Sequence, residues 1–126
     1  MKVYLLYSDY DDGQCYDSMS WNYLDKIVDS EEKAKKWIFE KAVEKCNKLT
    51  RYAKEWLDGG ELHFDEDGPY YIPWTEEEIE EGGYKEELAF YLNQLDKLKF
   101  GDDRYVIEDF NGYEKYGFMY EVKEVE

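Results

Sequence analysis

Eight apolar residues in the middle of this chain recur at a spacing that suits an α-helix. Ala34, Ile38, Ala42, Cys46, Leu49, Ala53, Trp56 and Leu57 lie three or four positions apart, except for the final adjacent pair. On a helix they form one stripe, whereas on a strand they would scatter over both faces. The spacing predicts a helix over about residues 30–57. Asp29 or Ser30 can cap its start, and Glu31 and Glu32 fall in the first turn, where unpaired N–H groups favour acids. Asp58-Gly59-Gly60 should end it, because glycine readily takes the left-handed conformation of a helix C-cap. A helix this long needs a surface to lie on, and the flanking segments can supply a sheet.

Residues 2–8 read as a buried strand, with Val3, Leu5 and Tyr7 on one face and Tyr4 and Leu6 on the other. A polar loop over 9–20 contains the turn signal Asp11-Asp12-Gly13, and a second strand is expected over 21–28. Residues 60–74 gather Leu62, Phe64, Tyr70 and Ile72 around Asp65-Glu66-Asp67-Gly68-Pro69. This suits a short irregular hairpin or a loop pinned by its aromatics, and Pro69 and Pro73 argue against a central strand. Thr75-Glu76-Glu77-Glu78 has the pattern of a capping box and should start a short acidic helical turn, which Gly82-Gly83 breaks. A second helix is expected over about 84–99, with Tyr84, Leu88, Tyr91, Leu92, Leu95 and Leu98 on its apolar side.

Near the C-terminus, Asn111-Gly112 between two β-rich runs predicts a hairpin with a two-residue turn. That turn sets Phe110 opposite Tyr113, Glu108 opposite Lys115 and Ile107 opposite Tyr116. Tyr105, Ile107, Tyr116, Phe118 and Tyr120 then share the core face, and Val106, Glu108, Lys115 and Met119 the outer one. The expected fold is a single α+β domain over residues 1–126. About four mainly antiparallel strands run in β-β-α-α-β-β order, with both helices packed on the sheet. The alternative is two hairpins clasping a helical pair without one continuous sheet.

Charge is the unusual bulk property. Thirty-two acidic residues against sixteen basic ones leave a formal charge of −16. Residues 30–57 hold eight Lys/Arg and five Glu, a net +3, whereas residues 58–87 hold twelve acids and one lysine, Lys85. Such a field repels nucleic acid and anionic membranes and attracts a basic protein surface. A 19% aromatic content, including 14 Tyr, argues against disorder. No apolar run approaches the ~20 residues of a membrane span, and the N-terminus lacks the layout of a secretory signal. Two cysteines, Cys15 and Cys46, are too few for a disulfide framework, so a cytosolic protein is expected.

The residues offer little for catalysis. His63 is the single histidine, and nothing in its spacing from Cys15 or Cys46 suggests a nucleophile–base pair. One histidine and two scattered cysteines do not make a zinc site. Gly59-Gly60 and Gly82-Gly83 lack the setting of a phosphate-cradling loop. Aligning Gly68 with the glycine of an EF-hand loop puts His63 and Trp74 where carboxylates are required. No metal, cofactor or catalytic residue is therefore expected. The lysines of the long helix are interleaved with glutamates, as on an ordinary solvated helix face, and direct nucleic-acid binding is not expected.

One stretch joins charge to large aromatics outside any amphipathic stripe. Asp65, Glu66, Asp67, Tyr70, Tyr71 and Trp74 run into Glu76, Glu77, Glu78, Glu80 and Glu81. Aromatic anchors in an acidic field suit a binder of a basic surface on another protein, and spaced carboxylates can stand in for phosphates. The competing readings are that the aromatics only pin a loop, and that the acidity only aids solubility. An accessory domain in an assembly, or a small enzyme, are the other functional alternatives.

The start Met1-Lys2-Val3-Tyr4-Leu5-Leu6-Tyr7, the helix entry Asp29-Ser30-Glu31-Glu32-Lys33-Ala34 and the end Tyr120-Glu121-Val122-Lys123-Glu124-Val125-Glu126 resemble those of small single-domain phage and mobile-element proteins. The likeness spans about the first 40 and the last 20 residues. It implies a setting in which acidic inhibitors of host defence or of host nucleic-acid enzymes are common, and it assigns no catalytic residue.

Overall fold

The computed structural model describes residues 1–13 and 23–126. Its elements are β1 (Lys2–Asp11), β2 (Tyr23–Val28), α1 (Glu31–Gly59), β3 (Glu61–Asp65), β4 (Gly68–Ile72), α2 (Glu76–Gly82), α3 (Tyr84–Asp96), β5 (Arg104–Glu108) and β6 (Lys115–Glu124). The expected order holds. Residues 60–74 form a hairpin, and the capping box starts a short helix as its pattern requires. Cys15, the loop to Ser20, and Trp21 and Asn22 at the expected start of the second strand lie outside the described residues.

Four strands make one antiparallel sheet in the order β2-β1-β6-β5. The two ends of the chain pair in its middle, from Lys2 opposite Glu124 to Asp11 opposite Lys115. The sheet is thus continuous, not two separate hairpins. β3 and β4 form a second, two-stranded sheet apart from it. That placement suits Pro69, since a missing N–H is tolerated on a strand with a free edge.

α1 lies across one face of the large sheet. Ala34, Ile38, Ala42 and Cys46 are fully buried with Leu6 and Ile107, and Tyr116, Phe118 and Tyr120 pack around them. The predicted stripe and the predicted hairpin face therefore meet in one core. Small residues at 34 and 42 leave room for the larger Ile38, Leu6 and Ile107. The Ser30 hydroxyl caps the helix, accepting from the Lys33 N–H at 3.2 Å. Burial pushes the Cys46 thiol up to about 11, so it remains protonated at neutral pH.

α3 packs along α1 and meets the sheet at the outer edge of β5. There the Gln94 side chain donates to the Glu108 carbonyl at 3.0 Å and accepts from the Glu108 N–H at 2.9 Å. The Tyr91 hydroxyl accepts from the Phe110 N–H at 3.0 Å. These side chains satisfy backbone groups that an edge strand would otherwise leave open. They also correct the expected two-residue turn. The Glu108–Lys115 and Ile107–Tyr116 pairs form as expected, but Phe110 and Tyr113 do not pair. Tyr91 holds the Phe110 N–H, and the chain turns through an Asp109 carbonyl to Gly112 N–H bond of 3.1 Å. α3 also stops at Asp96, short of residue 99. The Leu98 N–H bonds the Leu95 carbonyl at 3.2 Å, and the Tyr105 hydroxyl donates to the Lys99 carbonyl at 2.6 Å, turning the chain toward β5.

The lengths of α1 and the sheet do not match. A helix of 29 residues is about 43 Å long, whereas a ten-residue strand spans about 33 Å. α1 meets one end of the sheet where Glu31 accepts from the Tyr120 hydroxyl at 3.1 Å. It has reached the other end by Lys45, whose ammonium lies 3.8 Å from the Tyr116 ring centre. Its last turns overhang the sheet, and the remaining elements of the middle segment gather around that overhang.

Candidate partner interface

The overhang exposes Trp56, which the apolar stripe alone would place in the core. Ala53 still packs inward, but Trp56 is 48% exposed and Tyr52, one turn before it, 49%. α1 is capped by Gly60, which has a φ of +83°. A Cβ at that position would collide with the Ile72 carbonyl oxygen, so glycine is required for the helix end to sit against the end of β4. The Gly60 N–H bonds the Trp56 carbonyl at 3.3 Å.

The same carbonyl accepts from the indole N–H of Trp74 at 2.9 Å. The Trp74 ring centre lies 5.4 Å from that of Trp56 and 5.0 Å from that of Tyr84. This three-ring cluster ties the end of β4, the start of α3 and the overhang together. Trp74 is half-buried within it. Its indole therefore acts as a structural pin.

More exposed aromatics of this segment are on the β3–β4 hairpin. Its register pairs Leu62 with Tyr71 and Phe64 with Pro69, and the turn consists of Glu66 and Asp67. Asp65 accepts from the Asp67 N–H at 2.8 Å, which shapes the turn. Side chains alternate along a strand, so Leu62, Phe64, Pro69 and Tyr71 share one face and Glu61, His63, Tyr70 and Ile72 the other. Phe64 is 75% exposed and Tyr71 61%. Among the described residues, the two strands pair with each other and pack against no third element over an extended area. The hairpin thus carries an exposed apolar face with three acids at its tip.

α2 supplies the second acidic group. The Thr75 hydroxyl accepts from the Glu78 N–H and the Glu78 carboxylate accepts from the Thr75 N–H, both at 3.1 Å. Glu78 is thus committed to its own helix. Glu76, Glu77, Glu80 and Glu81 are exposed, and none of them takes part in an ion pair among the described residues. The predicted residues fall into three groups: acids at the hairpin tip with Tyr70 and Tyr71 behind them, Trp74 in the ring cluster, and the α2 acids.

A groove of about 820 Å³ lies between the end of α1 and the hairpin. Tyr52, Trp56, Leu62 and Tyr71 line it together with Glu55 and Asp58. The sequence points to Tyr71 as a candidate contact but not to Tyr52, Trp56, Leu62 or Phe64. The available signals were the four-residue spacing of Tyr52 and Trp56 and the alternation of Leu62 and Phe64. Both were ambiguous, because the same patterns also describe core.

His63 does not line this groove. Its ring stacks on Tyr70 at 5.6 Å, and its Nε2 lies 3.3 Å from a Glu61 carboxylate oxygen. Among the described residues, no group of three or more His, Cys, Asp and Glu side chains is placed to hold a metal ion. On α1, Lys33 pairs with Asp29, Lys35 with Glu31, Lys41 with Glu44 and Arg51 with Glu55. That helix carries much of its own neutralisation. No described helix is long and apolar enough to cross a membrane. Comparison with known proteins finds no matching family model, no similar curated protein and no similar solved structure.

Proposed function

We propose that this protein is a non-enzymatic binding protein that occludes a basic surface on a partner protein, in the manner of a phage-type inhibitor of host defence or nucleic-acid enzymes. One observation carries the reading. The hairpin holds Leu62, Phe64 and Tyr71 in solvent next to the Asp65-Glu66-Asp67 tip. Exposed aromatics provide contact area that can be desolvated on binding, and the acids provide attraction at a distance. The acids of α2 extend that field, with their carboxylates in the role of phosphates. The basic face of α1 is the weaker candidate, because Lys35, Lys41 and Arg51 are paired with its own glutamates.

The test is affinity capture from host lysate followed by kinetics on the captured partner. Glu77→Lys with Glu80→Lys should lower the association rate several-fold at low salt and leave dissociation nearly unchanged. Tyr71→Ala should speed dissociation roughly tenfold or more, the effect of losing a hot spot. Duplex DNA should compete for the partner if the carboxylates imitate phosphates. If both variants and the parent bind alike, the acidity serves solubility and the site lies elsewhere.

A further inference from the structure

We infer that the groove between the end of α1 and the hairpin receives a cationic side chain, an arginine or lysine of the basic partner. This rests on the binding reading above and names the chemistry of one contact within it. Three aromatic residues, Tyr52, Trp56 and Tyr71, line the groove, each about half exposed or more. The face of an aromatic ring is negative and attracts a cation within about 6 Å of its centre. Two carboxylates, Glu55 and Asp58, line the same groove. Its volume of about 820 Å³ falls within the range of roughly 300–1,000 Å³ typical of ligand sites.

A third feature is independent of the side-chain lining. The carbonyl end of a helix is negative and favours a cation nearby. The last turn of α1 contains no basic residue, although the helix is 29 residues long. The groove forms at that end.

The chain already contains a cation held on this surface in the proposed way. The Arg51 guanidinium lies 5.4 Å from the Tyr52 ring centre, and its Nε lies 3.9 Å from a Glu55 oxygen. Arg51 and Lys54 also line the groove, on its helix side. The Arg51–Glu55 pair is exposed, and such pairs contribute little. An incoming cation can therefore displace it at small cost and use Trp56 on the helix and Tyr71 on the hairpin, which line the same groove.

The experiment is an amide and indole NMR titration of the full chain at low salt with acetyl-Gly-Arg-Gly-amide. The same peptide with citrulline, a neutral isostere, replacing arginine serves as control. Saturable shifts are expected at the Trp56 indole and at the amides of Gly59, Gly60 and Tyr71, with arginine only. Tyr71→Ala and Glu55→Gln should each weaken binding about two- to fivefold. Shifts confined to residues 65–67 and 76–81 would overturn the groove assignment and leave the acidic-surface reading standing. Equal shifts with citrulline would also overturn it. Absence of shifts in a protein that still captures a partner removes the groove alone. Absence of both removes the groove and the binding reading together.

Discussion

Two aromatics three residues apart, Tyr71 and Trp74, stand in different surroundings. Tyr71 is 61% exposed on the hairpin. Trp74 is half-buried, with its N–H bonded to a helix-terminal carbonyl and its ring set between Trp56 and Tyr84. The sequence brings both into one segment but does not separate them, because each is an aromatic within two positions of a proline. The difference lies in a contact between residues eighteen positions apart. Trp74→Ala removes that bond and the packing of the ring. It should destabilise the domain by about 2–4 kcal/mol, near the lower range for a truncated core aromatic. Tyr71→Ala should stay within about 0.5 kcal/mol of the parent, as surface changes do. Urea denaturation of both variants checks this. Equal losses would show that Tyr71 is also part of the fold.

At the level of elements, the junction of α1 and the hairpin is the most constrained point. Gly60 combines a positive φ with close approach to the Ile72 carbonyl. Gly60→Ala meets both obstacles, whereas Gly68 and Gly112 also have positive φ but no atom near a built Cβ. The Gly60 variant should lose about 2 kcal/mol or more, and Gly112→Ala about 1 kcal/mol. Thermal unfolding of the pair measures the difference, and a harmless Gly60→Ala would mean that the helix end and β4 are not clamped. The helix terminator was legible at Asp58-Gly59-Gly60. The clamp was not, because it depends on a carbonyl brought back by a hairpin.

The whole molecule bears a formal charge of −16. Like charges on one compact body repel, and salt screens them with a Debye length of about 10 Å at 0.1 M. Raising sodium chloride from about 10 to about 150 mM should therefore raise Tm by a few degrees, as calorimetry would show. No rise, or a fall, would mean that local ion pairs such as Lys33–Asp29 outweigh the general repulsion. A basic partner would relieve the same repulsion, which links the charge to the proposed function.

Local patterns were enough for most of the elements. The stripe at Ala34, Ile38, Ala42 and Cys46, the Thr75–Glu78 capping box and the pairing of Glu108 with Lys115 each depend on residues close along the chain. Their physics is short-ranged, so the sequence by itself determined them. The overhang of α1, the pinning of Trp74 and the solvent-facing side of Leu62, Phe64 and Tyr71 were decided by the tertiary structure. An apolar residue is buried only where another element reaches it. Whether one does depends on the relative lengths of helix and sheet and on which chain ends meet.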